Sequence, residues 1–136
     1  MTGEQRELIA RKRAALEQFL ADLRTYAELD MASRRREHYA VERLLQLLCE
    51  SAADIGLQLL KMKDYRLATG YREIFAALRE QHNLPDELAE QLMDACAMRN
   101  VLTHLYDTID QERVIRAVDP AISLYQQYDD WVGAQM

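Results

Sequence analysis

The feature that most constrains the fold is a long run of apolar residues with helical spacing between residues 37 and 62. Apolar side chains recur three and four residues apart over about six turns, at Val41, Leu44, Leu48, Ala52, Ile55, Leu59 and Met62. This period places them on one face of an α-helix and predicts that the face is buried.

The same spacing predicts further helices on both sides of this one. We expect a first helix over residues 4 to about 29 and a third from the N-cap Asp64 to about His82. A fourth helix is expected from Pro85 to about Leu105. A fifth should follow the candidate caps Asp107, Thr108 and Asp110, and Pro120 should kink it or split it at Asp119. Residues 32–36 are expected to form a connection. Short connections between long amphipathic helices predict an all-α, up-and-down bundle of four main helices plus a short helix.

Composition narrows the class of protein. The 136 residues fit one domain, residues 1–136. The low content of turn-forming residues, 4 Gly and 2 Pro, excludes an all-β fold.

The sequence also predicts where the protein is located. The charged amino terminus is unlike a secretory signal, and no apolar run is long enough for a membrane span. We therefore expect a cytoplasmic protein with Cys49 and Cys96 reduced. The net charge of −6 argues against a protein that coats nucleic acid through its overall field.

Polar side chains crowd the end of the fourth predicted helix. Arg99 falls on the apolar line of that helix, while Asn100 and His104 are spaced i, i+4 on another face. A charge on a buried stripe is costly unless it is paired, so Arg99 requires a partner or a function. Spacing alone leaves both alternatives open: an ion pair with a carboxylate of the second helix (Glu42, Glu50 or Asp54), or a functional site.

The segment from Arg99 to Tyr106 reads R-N-x3-H-x-Y, and it resembles the R-x4-H-x-Y signature of HepT-type toxins of the HEPN superfamily. The segment from Tyr39 to Gly56 also resembles the second helix of that family. The resemblance spans roughly residues 4–130 and implies a metal-independent endoribonuclease without a cofactor that cuts mRNA or tRNA as a homodimer.

The residue types suit that chemistry. Attack by the RNA 2′-hydroxyl needs a group that moves protons near neutral pH, which is the role the resemblance implies for His104. The transition-state charge needs a fixed planar cation, which is the role the resemblance implies for Arg99. We expect Asn100 to support this chemistry by holding a phosphate oxygen or by orienting His104. Because positions i and i+5 point about 140° apart on a helix, we expect Arg99 and His104 of different protomers to meet in a composite cleft.

The resemblance also implies a partner, a nucleotidyltransferase antitoxin of the MntA type in a type VII-like toxin–antitoxin pair. That enzyme would transfer AMP to Tyr106 and silence the nuclease, because the added phosphodiester and adenosine compete with RNA beside Arg99. The residues alone, without the resemblance, describe a tyrosine that closes the bundle with its ring and leaves its hydroxyl in water.

A run of three arginines, Arg34, Arg35 and Arg36, is the candidate contact for the RNA backbone, with a solvated loop as the alternative. Two other functions remain to be compared with the nuclease. One is a non-catalytic HEPN subunit that docks a nucleotidyltransferase or presents its substrate, and that does not need His104. The other is a small DNA-binding protein, which has poor support because no helix has a base-reading set on a basic face.

Overall fold

The structure is a computed structural model that describes residues 1–63, 70–104 and 111–136, with the helical backbone alone for residues 99–104. Every element within those ranges is an α-helix, which confirms the all-α prediction. The helices are α1 (Gly3–Ala27), α2 (Met31–Arg36), α3 (His38–Lys61), α4 (Tyr71–His82), α5 (Asp86–His104), α6 (Gln111–Arg116) and α7 (Val118–Gln135).

Local sequence accounts for several helix ends. The side chain of Thr2 accepts from the backbone N–H of Gln5, whose side chain accepts in turn from the backbone N–H of Thr2, so both orphan donors at the start of α1 are satisfied. Helix α4 ends at Asn83, which adopts the left-handed conformation at φ 58°. Helix α5 begins just after Pro85, with Asp86 at the positive end of its dipole.

Two predicted features differ from the structure at the surface turns. Residues 31–36 form helix α2 rather than a connection, because the Asp30 carboxylate accepts from the backbone N–H of Ser33 at 2.7 Å and caps the helix. Hydrogen bonds from the backbone and the side chain of Ser33 lower the pKa of Asp30.

The fifth predicted helix is divided into α6 and α7 at Ala117, two residues before the expected break. Pro120 then lies in the first turn of α7, where it does not interrupt the helical hydrogen bonds.

The third predicted helix is shorter in its described part. Helix α4 starts at Tyr71 after the N-cap Gly70, while Asp64 lies outside the described residues. The prediction that Asp64 caps the helix therefore remains a prediction.

The four long helices α1, α3, α5 and α7 are antiparallel to their neighbours along the chain. Lys12 of α1 forms an ion pair with Asp54 late in α3, and Arg13 pairs with Asp129 late in α7 at 2.9 Å. Residues early in α1 thus meet residues late in both partners. Helix α3 lies at the centre, where the Tyr128 hydroxyl donates to the Ala52 carbonyl at 2.8 Å.

Cys49 of α3 and Cys96 of α5 are joined as a disulfide, with their Cα atoms 5.8 Å apart. The expectation of two reduced cysteines is therefore wrong for this structure. Each cysteine was placed correctly on a buried helical face, but spacing along one helix does not show which residue of another helix it faces. The bond ties the middle of α5 to the middle of α3.

Within the described ranges, none of the helices combines the length and the apolar character that a membrane crossing requires.

Candidate functional site

The last turns of α5 lie at the end of the bundle where α3 begins. Helix α4 ends beside the end of α3, since the Lys63 ammonium donates to the Gln81 carbonyl at 2.9 Å, so α5 starts there as well. It then passes Cys49 at Cys96 and continues for eight residues, or about 12 Å, toward the start of α3. Gln111, at the start of α6, lies 3.5 Å from the His38 ring and marks the same end.

Three of the predicted site residues, Arg99, Asn100 and His104, lie in these last turns of α5. Helix α5 is continuous through position 104, so positions 99 and 104 are separated by about 140° around its axis. Their side chains, and the whole of Tyr106, lie outside the described residues. The roles assigned to these four residues are therefore still predictions.

A mostly apolar groove of about 500 Å³ runs along α5 just before Arg99. Ala95 and Met98 of α5 form one wall, and Ala121 and Leu124 of α7 form the other. The groove therefore opens on the helix that carries the predicted catalytic residues, within one turn of Arg99.

Arg34 of α2 is a buried structural residue, with 6% of its surface exposed. Its guanidinium donates to the carbonyls of Ala27 (2.8 Å) and Leu29 (3.2 Å) at the end of α1, and to the carbonyl of Ile115 (3.3 Å) in α6. It also pairs with Asp119 at 3.0 Å. These bonds satisfy carbonyls that helix ends leave without partners. The expectation that Arg34 contacts an RNA backbone is therefore corrected, because its donors are used within the fold.

The other two arginines of the run are exposed and differ from each other. Arg35 forms a two-pronged ion pair with Glu112 of α6, which lowers the pKa of Glu112 and raises that of Arg35. Arg36 donates to the Ser33 hydroxyl at 2.9 Å and remains open to solvent. A backbone contact with RNA stays a prediction for Arg35 and Arg36.

Sequence reasoning missed a cluster at the start of α3. The ring of His38 lies 3.3 Å from a carboxylate oxygen of Glu42, and the neighbouring ring of Tyr39 lies over it with centroids 4.0 Å apart. The i, i+4 spacing of His38 and Glu42 is the signal in the sequence that could have located this cluster.

The carboxylates considered as partners of Arg99 are partly accounted for. Glu42 contacts His38, and Asp54 forms its ion pair with Lys12.

Across the described parts of the chain, no group of three or more His, Cys, Asp or Glu side chains is arranged to hold a metal ion.

Comparison with known protein families identifies the family of the chain. Residues 10–128 match the family described as ribonuclease HepT-like, and positions 99, 104 and 106 lie within that range. The chain belongs to the HepT-like family. The resemblance inferred from the R-x4-H-x-Y segment is therefore confirmed at the level of the family.

Individual relatives agree with this assignment. The chain is 31% identical over 132 residues to the tRNA nuclease HepT of Aphanizomenon flos-aquae, covering 94% of this chain and 89% of that protein. It is 22% identical over 91 residues to the mRNA nuclease HepT of Shewanella oneidensis, covering 67% and 68%. Among solved structures, the tri-AMPylated Shewanella oneidensis HEPN toxin in complex with an MNT antitoxin shares the fold, with a TM-score of 0.82, 19% identity and coverage of 98% and 99%.

Proposed function

We propose that this HepT-like chain is an endoribonuclease toxin that cleaves tRNA or mRNA in the cytoplasm. The observation that carries the proposal is the R-x4-H-x-Y segment at the end of α5 in a chain of the ribonuclease HepT-like family. The relationship to nucleases that act on tRNA and on mRNA supports RNA as the substrate class.

In this proposal, the substrate supplies its own nucleophile and no metal ion or cofactor takes part. His104 accepts the proton of the 2′-hydroxyl, whose oxygen attacks the adjacent phosphorus while the bond to the 5′-oxygen of the next nucleotide breaks. The 5′-oxygen leaves as a hydroxyl with a proton from water, His104 returns its proton to solvent, and a 2′,3′-cyclic phosphate remains. Arg99 stabilises the charge that builds on the phosphoryl oxygens with paired N–H donors. Asn100, one turn before His104, holds a phosphate oxygen or orients the imidazole.

The helical geometry favours a homodimer with a composite cleft. Since positions 99 and 104 of one continuous helix diverge by about 140°, one α5 cannot direct both at one phosphate. Two copies of α5 related by a two-fold axis can combine Arg99 of one protomer with His104 of its partner.

A nucleotidyltransferase antitoxin of the MntA type is the proposed regulator. Its reaction joins the Tyr106 oxygen to the α-phosphorus of ATP, breaks the bond to the β-phosphate, releases pyrophosphate and gives the phenolic proton to solvent. The product carries a phosphodiester two residues after His104, where it competes with RNA for Arg99. An AMPylated HEPN toxin with this fold supports the proposal.

The central test measures cleavage of tRNA and mRNA by the purified chain and by Arg99→Ala and His104→Ala. Each variant should lose activity by about 100-fold or more, because general acid–base and charge-stabilising groups contribute on that scale. Helical circular dichroism should be unchanged, and a chelator should leave wild-type cleavage unaffected. Full activity of His104→Ala would contradict the nuclease and favour a non-catalytic docking subunit.

The regulatory part has a separate test, in which the chain is incubated with its nucleotidyltransferase partner and Mg-ATP. Intact mass should show AMP adducts in the wild type and none in Tyr106→Phe, which should stay active in the presence of the partner. Adducts that persist in Tyr106→Phe would refute Tyr106 as the modified residue.

A further inference from the structure

Tyr39 is unusually exposed for an aromatic side chain among the residues that the structure describes. Its exposed fraction is 78%, while the other large exposed apolar side chains of the described residues, Met1, Leu29 and Met31, lie between 39% and 47%. The face of an exposed aromatic ring is open to contact with a ligand.

The exposed ring of Tyr39 contacts a neighbouring ring. It lies over the ring of His38, with centroids 4.0 Å apart and planes at 39°. His38 is fixed from two sides, by Glu42 at 3.3 Å and by Gln111 of α6 at 3.5 Å. The two rings therefore form an aromatic platform, His38 and Tyr39, whose outer ring faces solvent.

The aromatic platform lies at the same end of the bundle as the last turn of α5. Tyr39 is ten residues before Cys49, or about 15 Å along α3, and His104 is about 12 Å beyond Cys96 in the same direction. Position 38 lies within about 20° of Cys49 around α3, on the side that faces α5, while position 39 turns about 80° toward solvent. A single-stranded RNA that extends from the end of α5 past His38 would therefore meet the face of Tyr39.

Exposed arginines flank the aromatic platform. Arg43 is one turn after Tyr39 on the same side of α3, and Arg36 precedes it at the end of α2. Both are hydrogen-bonded to neutral side chains, Arg36 to Ser33 and Arg43 to Gln46. Glu37 is an exposed acid between them, and two further acids lie near the arginines: Asp30, whose charge interacts with that of Arg36, and Asp22, which lines the same surface pocket as Arg43.

We propose that Tyr39, lying on His38, is a base-stacking subsite for single-stranded RNA, with Arg36 and Arg43 contacting the adjoining phosphates. An aromatic face between cations is how proteins hold unpaired nucleotides, because every base has a π-face and every linkage a charge. The subsite rests on the proposed function, since it binds the substrate of that nuclease next to the end of α5. It adds residues outside the R-x4-H-x-Y segment.

The test measures binding of a labelled single-stranded RNA 12-mer by fluorescence anisotropy in a His104→Ala background, where the RNA stays intact. Tyr39→Ala should weaken the Kd by about 5- to 150-fold, the range for loss of one stacked base. Tyr39→Phe keeps the ring and should stay within about twofold. Met31→Ala, which truncates an exposed apolar side chain of α2, is the matched control and should not change the Kd.

Cleavage kinetics with His104 intact provide a second readout. Tyr39→Ala should raise KM by a similar factor and leave kcat within about twofold, because a subsite for binding is not part of the reacting groups. Arg43→Gln should weaken binding of the 12-mer and reduce its dependence on salt.

The outcomes separate the subsite from the nuclease itself. A wild type that cleaves RNA, with Kd and KM unchanged in Tyr39→Ala, would overturn the subsite and leave the nuclease standing. A wild type that fails to cleave any RNA would refute the nuclease, and the 12-mer titration would still decide whether Tyr39 stacks on RNA. If Tyr39→Ala alters the sedimenting mass or the capture of the nucleotidyltransferase while the RNA affinity is unchanged, the ring belongs to a protein interface and the proposal is wrong.

Discussion

The composite cleft makes a prediction that a cleft within one chain does not share. Arg99→Ala and His104→Ala are each expected to be inactive, but a mixture of the two proteins should regain activity. In a mixed dimer, one cleft combines the intact Arg99 of one protomer with the intact His104 of its partner, while the other cleft has lost both groups. The origin of the effect is the separation of about 140° between positions 99 and 104 on the continuous helix α5.

The size of the recovery can be worked out in advance. Equal amounts of the two variants, mixed under exchange conditions, give mixed dimers as about half of the population, and each has one intact cleft of two. The mixture should therefore recover about a quarter of the wild-type activity per protomer. Co-expression with two affinity tags allows purification of the mixed dimer alone, which should recover about half.

The assay is cleavage of tRNA by the mixture, by each parent variant and by the wild type at equal protomer concentration. A mixture of His104→Ala with the double variant Arg99→Ala/His104→Ala is the matched control, because no pairing in it restores His104. Activity of the main mixture no greater than the mean of its parents, in a sample whose mixed dimers are verified by mass, would refute the composite cleft.

Three further predictions concern the fold. Arg34→Ala should lower the free energy of unfolding by about 2–3 kcal/mol in urea denaturation, because buried carbonyls at the end of α1 lose their hydrogen-bond donor. Arg36→Ala, at an exposed position, should change it by less than about 0.5 kcal/mol, and equal effects would contradict the structural role of Arg34. Burial lowers the pKa of His82, so the unfolded chain binds a proton more readily, and the free energy of unfolding should fall as the pH drops below about 6.5. His82→Gln should reduce this pH dependence, which would be absent if the ring were solvated. Gly56→Ala should cost about 1 kcal/mol in thermal or urea unfolding, because the added Cβ would lie 2.8 Å from Ile74, whereas Gly3→Ala meets nothing within 4 Å and should be neutral.

Periodicity along the chain predicted the long helices because their stability comes from an apolar face that repeats over many turns. The second predicted helix, residues 37 to 62, agrees with α3 (His38–Lys61) to within a residue at each end. Helix α2 was missed for the opposite reason. Six residues give fewer than two turns, and α2 is held by the Asp30 cap and by the bonds of Arg34 to α1, α6 and α7 rather than by an apolar stripe of its own.

The arginine run shows that the pattern of charges in a sequence does not predict which charged side chains are buried or paired. Three adjacent arginines have the same formal charge and the same local sequence, yet one is buried, one is paired and one is open to solvent. What separates them is a set of partners 77 to 85 positions away along the chain, at Glu112, Ile115 and Asp119. Such pairings depend on tertiary packing, which the spacing of charges along one segment does not encode.

The sequence gives a hypothesis for the chemistry of the candidate site but not for its surroundings. Residue types and spacing within α5 are enough to propose a proton-transfer group and a cation, and both roles stay predictions. The position of the aromatic platform beside α5 could not be predicted in this way, because it depends on α3 and α5 running antiparallel past the Cys49–Cys96 contact, so that the first turn of one helix lies beside the last turn of the other. If Tyr39 binds a base there, the motif on α5 provides the cleavage chemistry and the start of α3 provides affinity for the unpaired strand. Substitutions in the two regions should then separate kcat from KM, a division that a site confined to the R-x4-H-x-Y segment would not produce.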